Sequence, residues 1–173
     1  TPSTPRSCVS THCWARVRPS ATPRLAHVRT GREVSVFVHR EGQLLLLRRA
    51  RDGIWHIPAG VVERGESFAE AAARELEEET GLRASALLDL RRTQRYTAEG
   101  YGYPTAITEV TLENFAAEAP ARWEPALDAE HTDSRWVALE DAEALLHWDN
   151  TRDAFRALLE RLRTAGCRGA MDR

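Results

Sequence analysis

The chain has 173 residues, with 24 basic and 26 acidic side chains and a formal net charge of −2. That length suits one domain with a proper core, and the slight negative charge argues against a protein that coats nucleic acid. All 24 basic residues are Arg, which with the many Ala reads as a GC-rich coding bias, and no apolar run is long enough to span a membrane.

Residues 1–30 contain no Asp or Glu but carry Arg6, Arg16, Arg18, Arg24 and Arg29 among Ser, Thr and Pro. So little apolar surface predicts a disordered basic tail. An organelle transit peptide has a similar composition, but an added tail or an upstream start codon is the preferred reading. Without an apolar stretch it is not a secretory signal. Cys8, Cys13 and Cys167 form no framework spacing, which predicts free thiols in a reducing compartment, hence the cytoplasm. Cys8, His12 and Cys13 lack the second pair that a structural metal site needs.

From Glu33 the pattern turns to β, with Val34, Val36 and Val38 alternating with Ser35, Phe37 and His39. Arg40-Glu41-Gly42 is a turn and Gln43 to Arg48 a second strand, so the two form a hairpin. Its four consecutive Leu predict burial on both faces. Arg48, Arg49 and Arg51 follow. They suit either a solvated strand end or phosphate anchoring, for which a planar guanidinium is well shaped.

Trp55-His56-Ile57-Pro58-Ala59-Gly60 then leads into GVVERGESFAEAAARELEEETGL, Gly60 to Leu82. Ser67 with Glu70 is a capping box, and Gly81 falls where a left-handed C′ residue is expected. On this helix Glu75, Glu78 and Glu79 share one face, with Ala69, Ala73, Leu76 and Thr80 beside it to pack inward and Glu70 and Glu77 toward solvent. The acidic face is electrostatically poor. A like-charged pair four residues apart costs roughly 0.2–0.5 kcal/mol, and the helix C-terminus disfavours negative charge. A hard divalent cation, which takes oxygen ligands, would remove the conflict.

Beyond Gly81, residues 84–90 and 91–96 read as strand, 97–102 as loop, 103–114 as strand, 116–132 as loop and 135–139 as a short strand. Helices are expected over 140–147 and 150–165. These elements make one domain over 31–166, with a C-terminal tail at 167–173.

The spacing of Gly60, Glu66, Arg74-Glu75-Leu76, Glu78-Glu79 and Gly81-Leu82 resembles the Nudix box of the Nudix hydrolases, MutT-like proteins among them. Every specified position is filled. The resemblance implies an α/β fold, an α/β/α sandwich with a mixed sheet. It also implies an Mg2+-dependent hydrolase, with Mn2+ able to substitute, that cuts diphosphate bonds in nucleotides. Glu78 and Glu79 would be metal ligands, Glu75 a ligand or the base, and Ala59 a carbonyl ligand. Arg74 would orient Glu75, and Glu66 would support the loop or a second metal.

A further carboxylate from outside the box often completes such a site. Glu109, Glu130 and Glu99 are candidates, with Glu109 preferred because a charge in mid-strand is unusual. Glu130-His131, Trp136 and the stretch Trp148 to Arg152 resemble the C-terminal part of dihydroneopterin triphosphate and nucleoside triphosphate pyrophosphatases. There Asn150 would read a purine edge and Trp148 would stack on a base or pterin. Asn150 with Asp153 equally suits an N-cap, and Trp148 suits the core. The implied substrate is a nucleoside or pterin triphosphate, with monophosphate and pyrophosphate as products. The alternatives are an ADP-sugar or dinucleoside polyphosphate hydrolase, or a non-catalytic nucleotide sensor. Small-molecule partners are expected, with no nucleic-acid polymer and no membrane; a homodimer is left open.

Overall fold

β1 (Arg32–Arg40) and β2 (Gln43–Arg49) form the hairpin that the alternation predicts. Glu41 and Gly42 both take positive φ, 43° and 79°, and Arg40 pairs with Gln43 across them. This is the two-residue primed turn whose twist matches the strands it joins. In this computed structural model, residues 30–171 are described, with side chains through residue 165. The expectations for the basic tail, for Cys8, His12 and Cys13 and for the Cys167 thiol lie outside that description.

β1 changes partner along its length. His39 pairs with Leu44 of β2. Farther back, Ser35, Val34 and Glu33 pair with Ala59, Gly60 and Val61 of β4 (Ala59–Val61). In the fork between, the Val36 N–H donates to the Pro58 carbonyl at 2.8 Å. Meanwhile β2 pairs with β3 (Trp55–His56) and β7 (His131–Ala138). The fork therefore lays Ala59 and Gly60 beside the middle of β1.

The other edge of β1 runs parallel to β6 (Glu109–Glu118), and β5 (Leu88–Thr97) lies antiparallel on β6. The order is β3-β2-β1-β6-β5, with β4 on β1 and β7 on β2. α1 (Phe68–Thr80) packs Ala71, Ala72 and Leu76 on one face, against Val34, Val36, Val38, Leu45 and Leu47. On the other face, α2 (Leu139–Leu145) and α3 (Asp149–Met171) bring Ala142, Phe155 and Leu158 against Phe37, Leu44 and Leu46. Leu44 to Leu47 are all 0% exposed, which is what a strand covered on both faces requires. Each such side chain contributes about 1.5–3 kcal/mol of burial.

Some elements differ from expectation. Residues 84–87 are not strand; Ala84 and Leu87 instead pack against the α1-side core. β6 starts at Glu109 rather than residue 103 and continues through Ala116 and Ala117, because the parallel pairing to β1 extends to His39–Glu118. β7 opens at His131 instead of residue 135. α3 runs to Met171, so the expected boundary at residue 166 falls inside a helix. No described helix is long and apolar enough to cross a membrane.

Candidate active site

The loop from Val61 to Ser67 and the helix behind it are shaped by local hydrogen bonds. Ser67 caps α1, accepting from the Glu70 N–H while the Glu70 carboxylate accepts from the Ser67 N–H. Gly81 closes the helix in the left-handed region at φ 76°. Both devices were legible, and a cap of this kind is worth about 1 kcal/mol. The inward face of α1 is not the expected one. Ala71, Ala72, Leu76 and Thr80 are buried together with Glu75 and Glu79, whereas Ala69 and Ala73 face solvent. Two carboxylates thus lie in the helix–sheet interface, 6% and 4% exposed.

Arg74 organises one side of the cluster. Its Nε and one terminal nitrogen donate to the two Glu66 oxygens at 2.9 and 3.0 Å. The other terminal nitrogen donates to Glu75 at 2.7 Å and to Glu78 at 3.2 Å. A last bond goes to the Val61 carbonyl at 2.8 Å. Glu66 also accepts from the Glu63 N–H at 2.9 Å, which ties down the loop. The hydrogen bonds from Arg74 to Glu66 are the first cause of a guanidinium held even more firmly protonated than usual.

Glu79 turns the other way and accepts from the Ala59 N–H at 3.1 Å. Burial first, and the charge of Glu75 second, push its carboxyl well above the usual range, against the pull of that hydrogen bond. Asp128 and Glu130 add to the rise. Among the described residues, no three acidic, His or Cys side chains already surround one point. Arg74 holds Glu75 and Glu78, while Glu79 is held by the Ala59 N–H; Glu75 and Glu79 both lie against β4, Glu75 at Gly60 and Glu79 at Ala59. The donor chemistry nevertheless fits a hard divalent cation, with oxygen donors from Glu75, Glu78 and Glu79 and a concentration of acidic side chains around the buried Glu79.

Glu109 does not join this cluster. It opens β6, its side chain is 58% exposed, and it lies 3.8 Å from Arg95 of β5. Strand ends tolerate such solvated charges, so the mid-strand argument fails for it. Glu99 is exposed in the loop after β5. The outside carboxylates whose charge bears on Glu79 are Asp128 and Glu130. Asp128 went unnoticed in the sequence; Glu130, in the Glu130-His131 pair, was the available signal.

Behind them lies a buried chain that the sequence did not announce. Asp128 Oδ1 is 2.9 Å from His131 Nδ1. His131 Nε2 is 2.8 Å from His56 Nε2, with the rings stacked at 5.0 Å. Burial first, then the neighbouring His131, push the His56 imidazole down to about 3.

The predicted substrate residues fall in two groups. Arg49 hydrogen-bonds Asp52 and lies over the Trp148 ring at 5.0 Å, so the structure brings these two candidates together. Its hydrogen bond is the first cause that lowers Asp52 to about 2. Arg48 and Arg51 are exposed at the same strand end. Asn150 lies inside the first turn of α3, where its Oδ1 accepts from the Thr151 N–H at 2.8 Å. It is therefore not a cap reaching Asp153. Its backbone carbonyl accepts from Gln94, whose Oε1 accepts from Asn114 at 3.2 Å. Asn114 in turn accepts from Ser35 of β1 at 2.7 Å. A buried polar line thus runs from mid-sheet to the start of α3.

A family model described as the NUDIX domain matches residues 29–158. The chain is 32% identical over 121 residues to the phosphatase NudJ of Escherichia coli strain K12, covering 69% of this chain and 73% of that one. It is 39% identical over 118 residues to an octanoyltransferase of Myxococcus xanthus, covering 67% of this chain but 32% of that protein's length. Among solved structures, the dihydroneopterin triphosphate pyrophosphohydrolase of E. coli matches with a TM-score of 0.68 at 24% identity, over 75% of this chain and 94% of that one. A Listeria monocytogenes NUDIX hydrolase matches with 0.67 at 29%, over 77% and 94%.

Proposed function

The chain belongs to the Nudix hydrolase family, and from that premise we propose that it hydrolyses a diphosphate bond in a nucleoside or pterin triphosphate. The products would be the monophosphate and pyrophosphate, with Mg2+ as cofactor and Mn2+ able to replace it. One observation carries this reading: Glu75 and Glu79 are buried under a complete box, with negative neighbours on the Glu79 side. Such a pair is unfavourable alone and suited to a cation.

Glu75, Glu78 and Glu79, the Ala59 carbonyl and Glu130 would hold the ion. A bound divalent ion supplies charge neutralisation for a polyphosphate and a more acidic water. The chain's own residues do the rest by positioning, as phosphoryl transfer demands. Arg74 fixes Glu75 and Glu78 relative to the loop through Glu66. Arg49, with Arg48 and Arg51 around it, would meet phosphate charge, and Trp148 offers a ring face beside it. Asn150 would contact the base or pterin edge.

A substrate panel with product analysis tests the proposal. Pyrophosphate plus a monophosphate is the expected outcome with Mg2+ present. Two monophosphates from a nucleoside diphosphate sugar, or a split dinucleoside polyphosphate, would move the assignment to another substrate class. Nucleotide binding with no bond cleaved would make the chain a sensor.

A further inference from the structure

Pairing between β2 and β7 slips by one residue at a single place: Arg48 faces Asp133, but Arg49 faces His131. Thr132 drops out of register, and bulges of this kind re-aim a neighbouring side chain. Here the imidazole of His131 turns inward, where it meets His56 from β3. The proton order follows from the acceptor at the end. With Asp128 accepting from His131 Nδ1–H, the tautomer of His131 that leaves a lone pair on Nε2 accepts there from His56 Nε2–H. The chain is thus satisfied at both links, the condition under which a buried polar network rigidifies its surroundings.

What it joins matters more than what it is. His56 stands three residues before Ala59, whose N–H holds Glu79. His131 follows Glu130 directly, and the Ala50 N–H fixes the Glu130 carbonyl at 2.7 Å. The bond between the imidazoles therefore ties together the two stretches that flank Glu79. We infer that the Asp128–His131–His56 chain is a positioning device that sets the gap between the β3–β4 bend and Glu130, and through it the affinity for a divalent cation at Glu79. The inference rests on the cation reading of that cluster. The three residues themselves are positioning residues and not ligands.

The test is Mn2+ binding to the full chain without substrate, followed by electron paramagnetic resonance of the free ion, with Tm measured alongside. Removing orienting partners behind metal ligands typically weakens affinity about 10–100-fold. His56→Phe keeps a ring but removes the donor, and is expected to weaken Mn2+ binding at least about tenfold. His56→Gln can donate an amide proton to His131 and is expected to recover most of that loss. If His56→Phe does not fold, His131→Asn cuts the same bond from the other side while keeping a contact to Asp128, and the same weakening is expected. Unchanged Mn2+ affinity in the folded variant, with only a lower Tm, would make the pair a plain structural cross-link. A Gln variant as weak as the Phe variant would also overturn the inference, since restoring the donor would then restore nothing. Should the unmodified chain take up no Mn2+, the cation reading itself falls, which separates the two failures.

Discussion

Gly60 lies directly against the carboxylate of Glu75: a Cβ built on the glycine would stand 2.0 Å from the Glu75 carboxyl carbon. The glycine is required by this close approach. It pairs with Val34 inside the sheet and cannot retreat.

Gly60→Ala is therefore expected to displace Glu75 and to lose activity. Overpacking of this kind costs about 1–3 kcal/mol. The same substitution in a Glu75→Ala background should cost much less, because the clash has gone. Chemical denaturation of the four proteins measures the coupling. Equal costs in both backgrounds would mean that Glu75 is not the obstacle.

Glu79→Gln should lower kcat by more than about 100-fold, since even partners outside the ligand sphere typically account for 10–100-fold. The apo protein should be as stable as before or more so, because a buried acid with negative neighbours is replaced by a neutral amide. Full Mg2+-dependent activity in this variant would remove Glu79 from the site.

Stability should respond to pH and metal together. The Glu79 carboxyl is raised in the folded chain from an ordinary value of 4.5. Above that ordinary value the unfolded chain releases its proton while the folded chain keeps it. The contribution of Glu79 to stability is therefore present at low pH and is lost as pH rises from about 4.5 toward the raised folded value. A cation competes with that proton, so the increase in Tm produced by Mg2+ should grow with pH across the window. Thermal melts with and without Mg2+ over a pH series check this; a shift that stays flat with pH would contradict it.

Asn150→Ala should raise KM for the preferred triphosphate by up to about tenfold, the equivalent of one good hydrogen bond. Its kcat should change little, because under the proposed function Asn150 meets the base or pterin edge and not the reacting phosphates. Ranking of purine, pyrimidine and pterin substrates should also change. A loss confined to kcat would place Asn150 in another role.

The hairpin, the capping box and the box spacing were legible because each is written within a few residues. Periodicity gave α1 its length but not its inward face. Ala69 and Ala73 were expected to pack inward beside the acidic face, whereas they are exposed and Glu75 and Glu79 themselves are buried. The end of β6 was missed because Ala116 and Ala117 have little strand propensity of their own; pairing with β1 holds them there. Glu109 was favoured because it was read as lying mid-strand; it opens β6 instead, and strand ends cannot be located to a residue by pattern. The contact of His56 with His131 spans 75 positions, and the bond from Ser35 to Asn114 spans 79. Local pattern carries no information about such pairs.

The guanidinium of Arg74 has five N–H groups, and its bonds to Glu66, Glu75, Glu78 and Val61 engage all five. This arginine is saturated, so it has nothing left to offer an incoming phosphate without letting go of the loop or the helix. Under the proposed function, counter-charge for a substrate would come from other cations, such as Arg48, Arg49 and Arg51 at and just beyond the end of β2, or be carried in as an ion. Replacing Arg74 with Lys would keep the charge but leave three donors where five are in use.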